Sequence, residues 1–268
     1  MNDLDIAREA AKCGAAVLLR HWETLGKEDA DLKARHDWVS AADRESEDAI
    51  VAAIRAHRPQ DAFLGEESGL TTGTADRTWV IDPLDGTSNY LQHFPIWTVS
   101  IALRRGNETV VGVVYEPLRD LFFTTERGSG SFRNDKRMNV STQEAVEGSF
   151  LATGFPFRAQ EYVETYVAIF TDIIRVSKGV RRAGSAALDL AYTAAGIFDG
   201  FFEMHLAPWD VAAGALLVTE AGGIVSDFSS GQRWLERGNI VGASPKVHAE
   251  LLSVIGRHVT EDELDHKK

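Results

Sequence analysis

The sequence has a single cysteine, no long apolar run and no excess of basic residues. One cysteine excludes a disulfide within the chain and fits a reducing compartment. Cys13 stands at helical spacing from Ile6, Ala10 and Val17, which favours a core thiol over a nucleophile.

The apolar runs and the charge balance exclude further classes of protein. No apolar run approaches the ~20 residues that cross a membrane, and the first residues lack the basic segment of a signal peptide. We therefore expect a cytoplasmic protein without a membrane partner. Lys and Arg number 28 against 40 Asp and Glu, which gives a formal net charge of −12. Since nucleic-acid binding needs a basic face, we expect no direct nucleic-acid partner.

The chain divides into two predicted halves, residues 1–140 and 141–268. Its 268 residues, 44% of them hydrophobic, are enough to bury a sizeable core. In the first half we predict helices over 3–22 and 42–56 and strands over 61–64, 78–82, 97–104, 109–116 and 120–125, with an antiparallel hairpin between the strands 97–104 and 109–116. The residues 23–36 are polar, 70–77 are predicted to form a loop, and a glycine-rich stretch at 128–142 contains the predicted boundary.

In the second half, strands and helices alternate, which is typical of a layered α/β fold. We predict strands over 149–153, 179–182, 198–203, 223–227 and 238–242, and helices over 160–176, 185–196, 209–220 and 245–257. The charged tail 260–268 is expected to fray.

The most informative stretch is Asp82-Pro83-Leu84-Asp85-Gly86-Thr87, which directly follows an apolar run. A buried strand that ends here delivers its acids to the edge of a sheet, where ligands bind in α/β folds. The proline turns the chain sharply, so both acids and the Leu84 carbonyl can face one side. The glycine and free amides near Thr87 favour an anion. These oxygens suit Mg²⁺ beside a phosphate.

Simpler local explanations exist for each acid. Asp-Gly pairs are common in surface turns. Glu66 fits a solvated turn or a helix cap, Asp210 fits the first turn of a helix as a dipole partner, and Asp43 fits a cap. No single acid therefore indicates a metal site, and only the acids taken together do.

In combination, the motifs resemble the inositol monophosphatase family of metal-dependent, lithium-sensitive phosphatases, most closely its bacterial branch. The resemblance covers nearly the whole chain and rests on Asp37-x-Val39-Ser40-x-x-Asp43, Gly65-Glu66-Glu67-Ser68, the stretch from Trp79 to Thr87, Gly184-Ser185-Ala186-Ala187, and the stretch from Trp209 to Gly223. Ser40 stands where threonine is usual, and Trp38 is bulky for its position. The resemblance implies a layered αβαβα sandwich of the inositol monophosphatase and fructose-1,6-bisphosphatase type.

The resemblance also implies a set of Mg²⁺ ligands. Glu66, Asp82 and the Leu84 carbonyl would hold one ion, and Asp82, Asp85 and Asp210 would hold a second. Asp82 would then bridge the two ions, and a third, weaker ion would lie near Glu66. Two such cations can stabilise both the attacking and the departing oxygen of an in-line displacement.

The catalytic roles are implied in the same way. Glu66 and the Thr87 hydroxyl would orient a water whose pKa the cation lowers, and Asp43 would accept the Thr87 proton. The phosphate would rest on the Gly86 and Thr87 amides, and a water at the second ion would protonate the leaving alkoxide.

The substrate pocket is implied to contain Asp85, Gly184, Ser185, Ala186 and Glu203. Glu203 would accept hydrogen bonds from a polyol, although a surface carboxylate at a strand end fits its position too. Ser185 and Ala186 also fit the cap and the first residue of a helix.

The function expected from the resemblance is hydrolysis of myo-inositol monophosphate to inositol and phosphate, with a homodimer and inhibition by Li⁺. Fructose-1,6-bisphosphatase, bisphosphate nucleotidase and histidinol-phosphatase activities are the nearest alternatives. A covalent phosphatase would need Asp-x-Asp-Gly-Thr, whereas two residues separate the acids here. A second class of function is a regulatory protein that binds the transcription machinery, as bacterial members of the family do.

Overall fold

The computed structural model describes residues 1–22, 30–34, 37–157 and 159–260, with 30–34 and 37–40 described by their backbone alone. The helices are α1 Asp3–His21, α2 Ala41–His57, α3 Thr87–Leu91, α4 Val163–Val176, α5 Ala186–Ala194, α6 Pro208–Glu220, α7 Trp234–Arg237 and α8 Pro245–Ile255. The strands are β1 Ala30–Ala34, β2 Asp37–Ser40, β3 Ala62–Gly65, β4 Gly69–Thr71, β5 Thr78–Asp85, β6 Thr98–Arg105, β7 Glu108–Glu116, β8 Leu121–Glu126, β9 Gly130–Arg133, β10 Lys136–Met138, β11 Phe150–Thr153, β12 Gly179–Arg181, β13 Gly200–Glu203, β14 Ile224–Ser226 and β15 Ile240–Ala243.

Two mixed sheets form the framework. The first has eight strands in the order β10-β9-β8-β7-β6-β5-β3-β4, and the second has five in the order β12-β11-β13-β15-β14. In the first sheet β5 runs parallel to β3 and antiparallel to β6, and β6 and β7 form the predicted antiparallel hairpin. In the second, β13 is parallel to β11 and antiparallel to β15.

The apolar residues of the first sheet alternate between two cores. Trp79 and Ile81 of β5 pack with α1 and α2, whereas Val80 between them packs with α5 and α6. This follows from the two-residue period of a strand whose two faces are both covered. Helices α5 and α6 are apolar on nearly every side because they lie between the two sheets.

The second sheet completes the layers. Its far face packs with α4 and α8 around residues such as Phe202 and Val241. The order of layers is therefore α1 and α2, first sheet, α5 and α6, second sheet, α4 and α8. This arrangement confirms the αβαβα sandwich expected from the resemblance.

Some sequence predictions need correction. The glycine-rich stretch 128–142 contains the hairpin of β9 and β10, whose turn residues Asn134 and Asp135 both have positive φ, as a type I′ turn requires. Within the predicted loop 70–77, β4 forms a short edge strand. Cys13 is only partly buried and does not belong to the core.

The predicted polar stretch 23–36 contains the described strand β1, and its remaining residues lie outside the described residues. The predicted fraying tail lies outside them from residue 261 onward. The side chains of Trp38 and Ser40 also lie outside the description. The division at residue 140 stays a prediction.

An ion cluster attaches the start of α1 to the first sheet. Asp3 accepts hydrogen bonds from Arg77 at 2.7 and 3.0 Å, from Arg58 at 2.9 and 3.1 Å and from Arg105 at 3.0 Å. Burial alone would raise the pKa of Asp3, but the guanidinium groups lower it to about 2. The ionised form of Asp3 is therefore the form that the fold stabilises.

We expect Asp3→Asn to lower the free energy of unfolding at neutral pH by about 2 kcal/mol, or the melting temperature by roughly 4–8 °C. Because the folded pKa is depressed, this contribution is present above the ordinary pKa of 3.8 and is lost as the pH falls through about 2. Urea unfolding of wild type, Asp3→Asn and the exposed control Asp5→Asn measures it. A loss that is equal at about pH 7 and about pH 2 would contradict this assignment.

Candidate active site

The end of β5 turns back on itself through its own hydrogen bonds. Asp82 Oδ1 accepts a bond of 3.0 Å from the Leu84 amide. The Thr87 hydroxyl lies 3.0 Å from the Leu84 carbonyl oxygen and 3.3 Å from Asp43 Oδ2. Since the hydroxyl has one proton, these two acceptors share or exchange it. The motif that follows the apolar run thus forms the bulged end of β5 and a short loop at Gly86.

Gly86 is required at the next position. Its φ of 98° lies in the left-handed region, and a Cβ there would come within 2.9 Å of the Ile96 carbonyl oxygen. The chain then enters the short helix α3 at Thr87. The loop therefore keeps its backbone close to the neighbouring segment.

Three carboxylates from two elements meet beside this loop. Oxygens of Asp82, Asp85 and Asp210 lie within 4.8 Å of one another. Asp82 and Asp85 come from β5, and Asp210 lies in the first turn of α6. The fold thus brings together three acids that are distant in the sequence.

Hydrogen bonds from helix starts orient two members of this group. Asp85 Oδ2 accepts from the Ser185 hydroxyl at 2.6 Å and from the Ala187 amide at 2.8 Å. Asp210 Oδ2 accepts from the Ala207 amide at 2.6 Å. Ser185 is the N-cap of α5, so its roles as a cap and as a site residue coexist. The capping role of Asp210 likewise coexists with its place in the cluster.

The group is electrostatically strained in the protein alone. Burial, followed by the carboxylates of Glu66, Asp85 and Asp210, raises the pKa of Asp82 well above its ordinary value. Burial and Asp210 raise the pKa of Asp85 to about 7, although hydrogen bonds from Ser185 and Ala187 oppose the shift. A cation placed among these oxygens would remove the repulsion.

Glu66 lies in the turn after β3, next to a second group of acids. Its carboxylate oxygens lie within 4.8 Å of those of Asp43 and Glu67. The Glu66 amide donates to the Ile81 carbonyl at 3.2 Å, which places this turn beside β5. The two acidic groups therefore occupy adjacent parts of one sheet edge, joined by the Asp43 to Thr87 contact.

Glu47, which the sequence reasoning missed, holds the turn of Glu66 in place. Its buried carboxylate accepts from the amides of Glu67 and Ser68, both at 2.9 Å. It also packs against Gly65, where a Cβ would come within 2.5 Å of the carboxylate. Glu47 thus positions the backbone from which Glu66 projects.

A signal for Glu47 was present in the sequence. Asp43, Ser46 and Glu47 continue the helical spacing of the apolar residues Ile50 and Ile54, and all five are buried. Ser46 donates to the Pro83 carbonyl at 3.3 Å. Extending the apolar face of α2 toward its start would have found these polar contacts.

The clustered acids Asp82, Asp85 and Asp210 line a cleft of about 250 Å³ between the two sheets. All predicted site residues except Asp43 line it: Glu66, Asp82, Leu84, Asp85, Gly86, Thr87, Gly184, Ser185, Ala186, Glu203 and Asp210. Asp43 lies behind the cleft wall, where it contacts Thr87 and lies beside Glu66. Asp189 and Arg182 also line the cleft and were not predicted.

The donor set fits a divalent oxygen-seeking cation such as Mg²⁺. Asp82, Asp85 and Asp210 supply carboxylate oxygens and Leu84 a carbonyl on one loop, without a thiol or imidazole among them. Hard cations prefer such ligands. The raised pKa values of Asp82 and Asp85 indicate that the fold brings these acids together at an electrostatic cost that a cation would offset.

A layered αβαβα fold with an acidic cleft at a sheet edge defines the class of protein. The model of the inositol monophosphatase family matches residues 2–260. The chain belongs to this family.

Its relatives include proteins with two kinds of name. Nus factor SuhB of Salmonella typhimurium strain LT2 is 47% identical over 251 residues, which are 93% of this chain and 94% of the relative. The crystal structure of extragenic suppressor protein suhB from Bartonella henselae is 38% identical, with a TM-score of 0.91 and coverage of 95% and 98%. The inositol monophosphatase from Anabaena is 37% identical, with a TM-score of 0.85 and coverage of 97% of each chain.

Among the described residues, no helix is both long enough and apolar enough to span a membrane. The longest, α1, carries charged residues along its exposed face and packs through its alanines on the first sheet.

Metal affinity should depend on pH because an acid in the cluster must lose its proton. We expect the affinity for Mg²⁺ to rise by at least about tenfold per pH unit below the Asp85 pKa of about 7, because Asp85 and Asp82, whose pKa values are both raised, must lose their protons to bind the cation. Isothermal titration calorimetry in buffers of different ionisation enthalpy would measure both affinity and proton release. Constant affinity and no proton release between about pH 6 and about pH 8 would contradict the arrangement.

Removing the Glu47 carboxylate should disturb the turn of Glu66. We expect Glu47→Ala to cost about 2 kcal/mol of stability and to weaken Mg²⁺ binding, because two backbone amides lose their acceptor. The control is Glu45→Ala, an exposed acid on the same helix. Thermal melts with and without Mg²⁺ test this, and equal effects of the two variants would refute the role of Glu47.

Proposed function

We propose that the protein is a Mg²⁺-dependent phosphatase that hydrolyses a phosphate monoester, with myo-inositol monophosphate as the first candidate substrate. The observation that carries the proposal is the contact of Thr87 with Asp43 beside the clustered carboxylates of Asp82, Asp85 and Asp210. Membership of the inositol monophosphatase family supports a phosphatase of this kind.

The proposed cation ligands are Glu66, Asp82, the Leu84 carbonyl, Asp85 and Asp210. Bound cations would neutralise the phosphate and lower the pKa of an attacking water. The net charge of −12 makes this neutralisation necessary, since an acidic protein otherwise repels an anionic ester. On the protein side, the amides of Gly86 and Thr87 at the start of α3 would hold the phosphate oxygens.

Thr87, Asp43 and Glu66 would prepare the water. When the Thr87 hydroxyl donates its hydrogen bond to Asp43, its lone pairs are free to accept a hydrogen bond from the attacking water. The Glu66 carboxylate, held beside Asp43, would orient the same water and act as the general base. Thr87 and Glu66 would therefore fix the direction in which the water attacks the phosphorus.

The choice of inositol monophosphate rests on resemblance. The Anabaena relative is named an inositol monophosphatase, and this chain is 37% identical to it. A sugar or nucleotide phosphate remains the alternative, since the metal-binding acids serve any phosphate ester. A panel of esters that includes fructose 1,6-bisphosphate and a 3′-phosphorylated nucleotide would decide.

We also propose a homodimer and inhibition by Li⁺, as the family resemblance implies. Val163, Val167 and Ile174 leave an exposed apolar stripe along α4, with 38%, 48% and 49% of each residue exposed. A second copy of the chain would cover such a stripe. Sedimentation velocity and a Li⁺ inhibition curve would test the two proposals.

A second candidate is a role with the transcription machinery. Relatives 43–47% identical to this chain are named Nus factor SuhB. The acidic net charge favours a protein partner over direct contact with nucleic acid. If a cellular phenotype of deleting the protein is rescued by the inactive Asp82→Asn variant, binding rather than hydrolysis is the function.

Phosphate release with and without Mg²⁺ tests the phosphatase directly. We expect Asp82→Asn to abolish turnover, and Thr87→Ala to lower kcat about 10²–10⁴-fold with little change in Mg²⁺ affinity. Asp76→Asn, an exposed turn residue, is the control. Full activity of Asp82→Asn, or undiminished activity after exhaustive chelation with EDTA, would exclude the proposed chemistry.

A further inference from the structure

Asp189 is a buried carboxyl group on the wall of the cleft. It lies on α5, one helical turn after the N-cap Ser185, and only 1% of the residue is exposed. Its Oδ1 atom has no hydrogen-bond partner among the residues that the structure describes. Asp189 nevertheless lines the same cleft as the acids at the end of β5.

An unpartnered carboxyl oxygen in this position destabilises the free protein. Leaving a buried polar group unsatisfied costs about 1–3 kcal/mol. The neighbours of Asp189 on α5 are leucines and alanines, and an apolar residue would suit the layer between the two sheets better. Packing therefore does not account for Asp189, whereas a ligand in the cleft does.

The electrostatic surroundings decide which chemistry Asp189 offers. Burial, followed by the carboxylates of Glu203 and Asp85, holds its pKa well above the ordinary value, and Arg182 only partly opposes this. This direction favours the protonated carboxyl group, which can donate a hydrogen bond. A neutral acid has little attraction for an ammonium group, so a hydroxyl oxygen is the favoured partner.

Glu203 lies nearby at the end of β13 and lines the same part of the cleft. It packs tightly on the backbone of Gly154, where a Cβ would come within 1.9 Å of the Glu203 carboxyl carbon. This packing fixes the carboxylate close to the cleft wall. The cleft thus presents two carboxyl groups away from the loop of Gly86 and Thr87.

We propose that Asp189 is a specificity-determining residue that recognises one hydroxyl group of the leaving alcohol, beside the hydroxyl already expected to bind Glu203. Asp189 donates to one hydroxyl, and Glu203 accepts from another. The inference rests on the proposed phosphatase function, because the phosphate must occupy the metal-binding end of the cleft. Asp189 and Glu203 would together select phosphate esters of polyols over esters whose alcohol has no second hydroxyl.

The test compares two esters in Mg²⁺, namely myo-inositol 1-phosphate and p-nitrophenyl phosphate, which lacks further hydroxyls. For Asp189→Ala we expect kcat/KM on the inositol ester to fall about 30-fold. The loss on the nitrophenyl ester should be at least ten times smaller than this. Asp189→Asn retains a donor and should stay within about fivefold of wild type on both. Thr193→Val, which removes a buried hydroxyl one turn further along α5, is the matched control and should leave the ratio of the two rates unchanged.

Thermal unfolding provides a second readout. If Asp189 serves to bind a ligand, Asp189→Ala should melt at or above the wild-type temperature, because the variant lacks the unsatisfied carboxyl group. If Asp189 has a purely structural role, Asp189→Ala should melt at a lower temperature and lose kcat/KM equally on both esters, and that result would overturn the inference. Full activity of Asp189→Ala on the inositol ester would overturn it too. If wild type hydrolyses the nitrophenyl ester without preferring polyol esters, only this inference fails. If wild type hydrolyses neither ester, the proposed function fails with it.

Discussion

Mutual repulsion among clustered carboxylates is the constraint on which the rest of the structure depends. Asp82, Asp85 and Asp210 lie within 4.8 Å of one another on the wall of the cleft, with Asp82 buried and Asp210 partly buried. Such a group survives in the folded chain because backbone amides and a hydroxyl donate to it. The donors come from the starts of α5 and α6, where free N–H groups and the helix dipole favour negative charge.

The layer order explains how these parts meet. Helices α5 and α6 lie between the two sheets, so their first turns can face the end of β5 on one side and β13 on the other. The end of the cleft where we propose metal binding is built by the first sheet and α6. The end where we propose recognition of the alcohol is built by α5 and β13, which carry Asp189 and Glu203.

Much of this arrangement was predictable from the sequence, since long elements carry clear periodicity. Helix α1, helix α2 and the strands β5 to β8 appear within a few residues of their predicted bounds. Short polar elements were missed, as β9 and β10 show: their residues are glycine-rich and charged, and only the Asn134-Asp135 turn signalled a hairpin. Residues from Asp82 to Thr87 were recognised because the motif is contiguous.

Glu47 and Asp189 were missed for a different reason. The role of Glu47 depends on amides 20 and 21 residues further along the chain. Asp189 matters because its position on α5 places it against a cleft whose other wall comes from β13, which one sequence does not show. Local patterns reveal which residues are buried, whereas the partner of a buried acid is decided by the packing of distant elements.

The most direct test of the account is a crystal structure of the protein soaked with Mn²⁺, a cation whose anomalous scattering marks its position. We expect an anomalous peak among the oxygens of Asp82, Asp85 and Asp210. A fully soaked crystal without such a peak, or with a lysine or arginine side chain neutralising these acids instead, would contradict it.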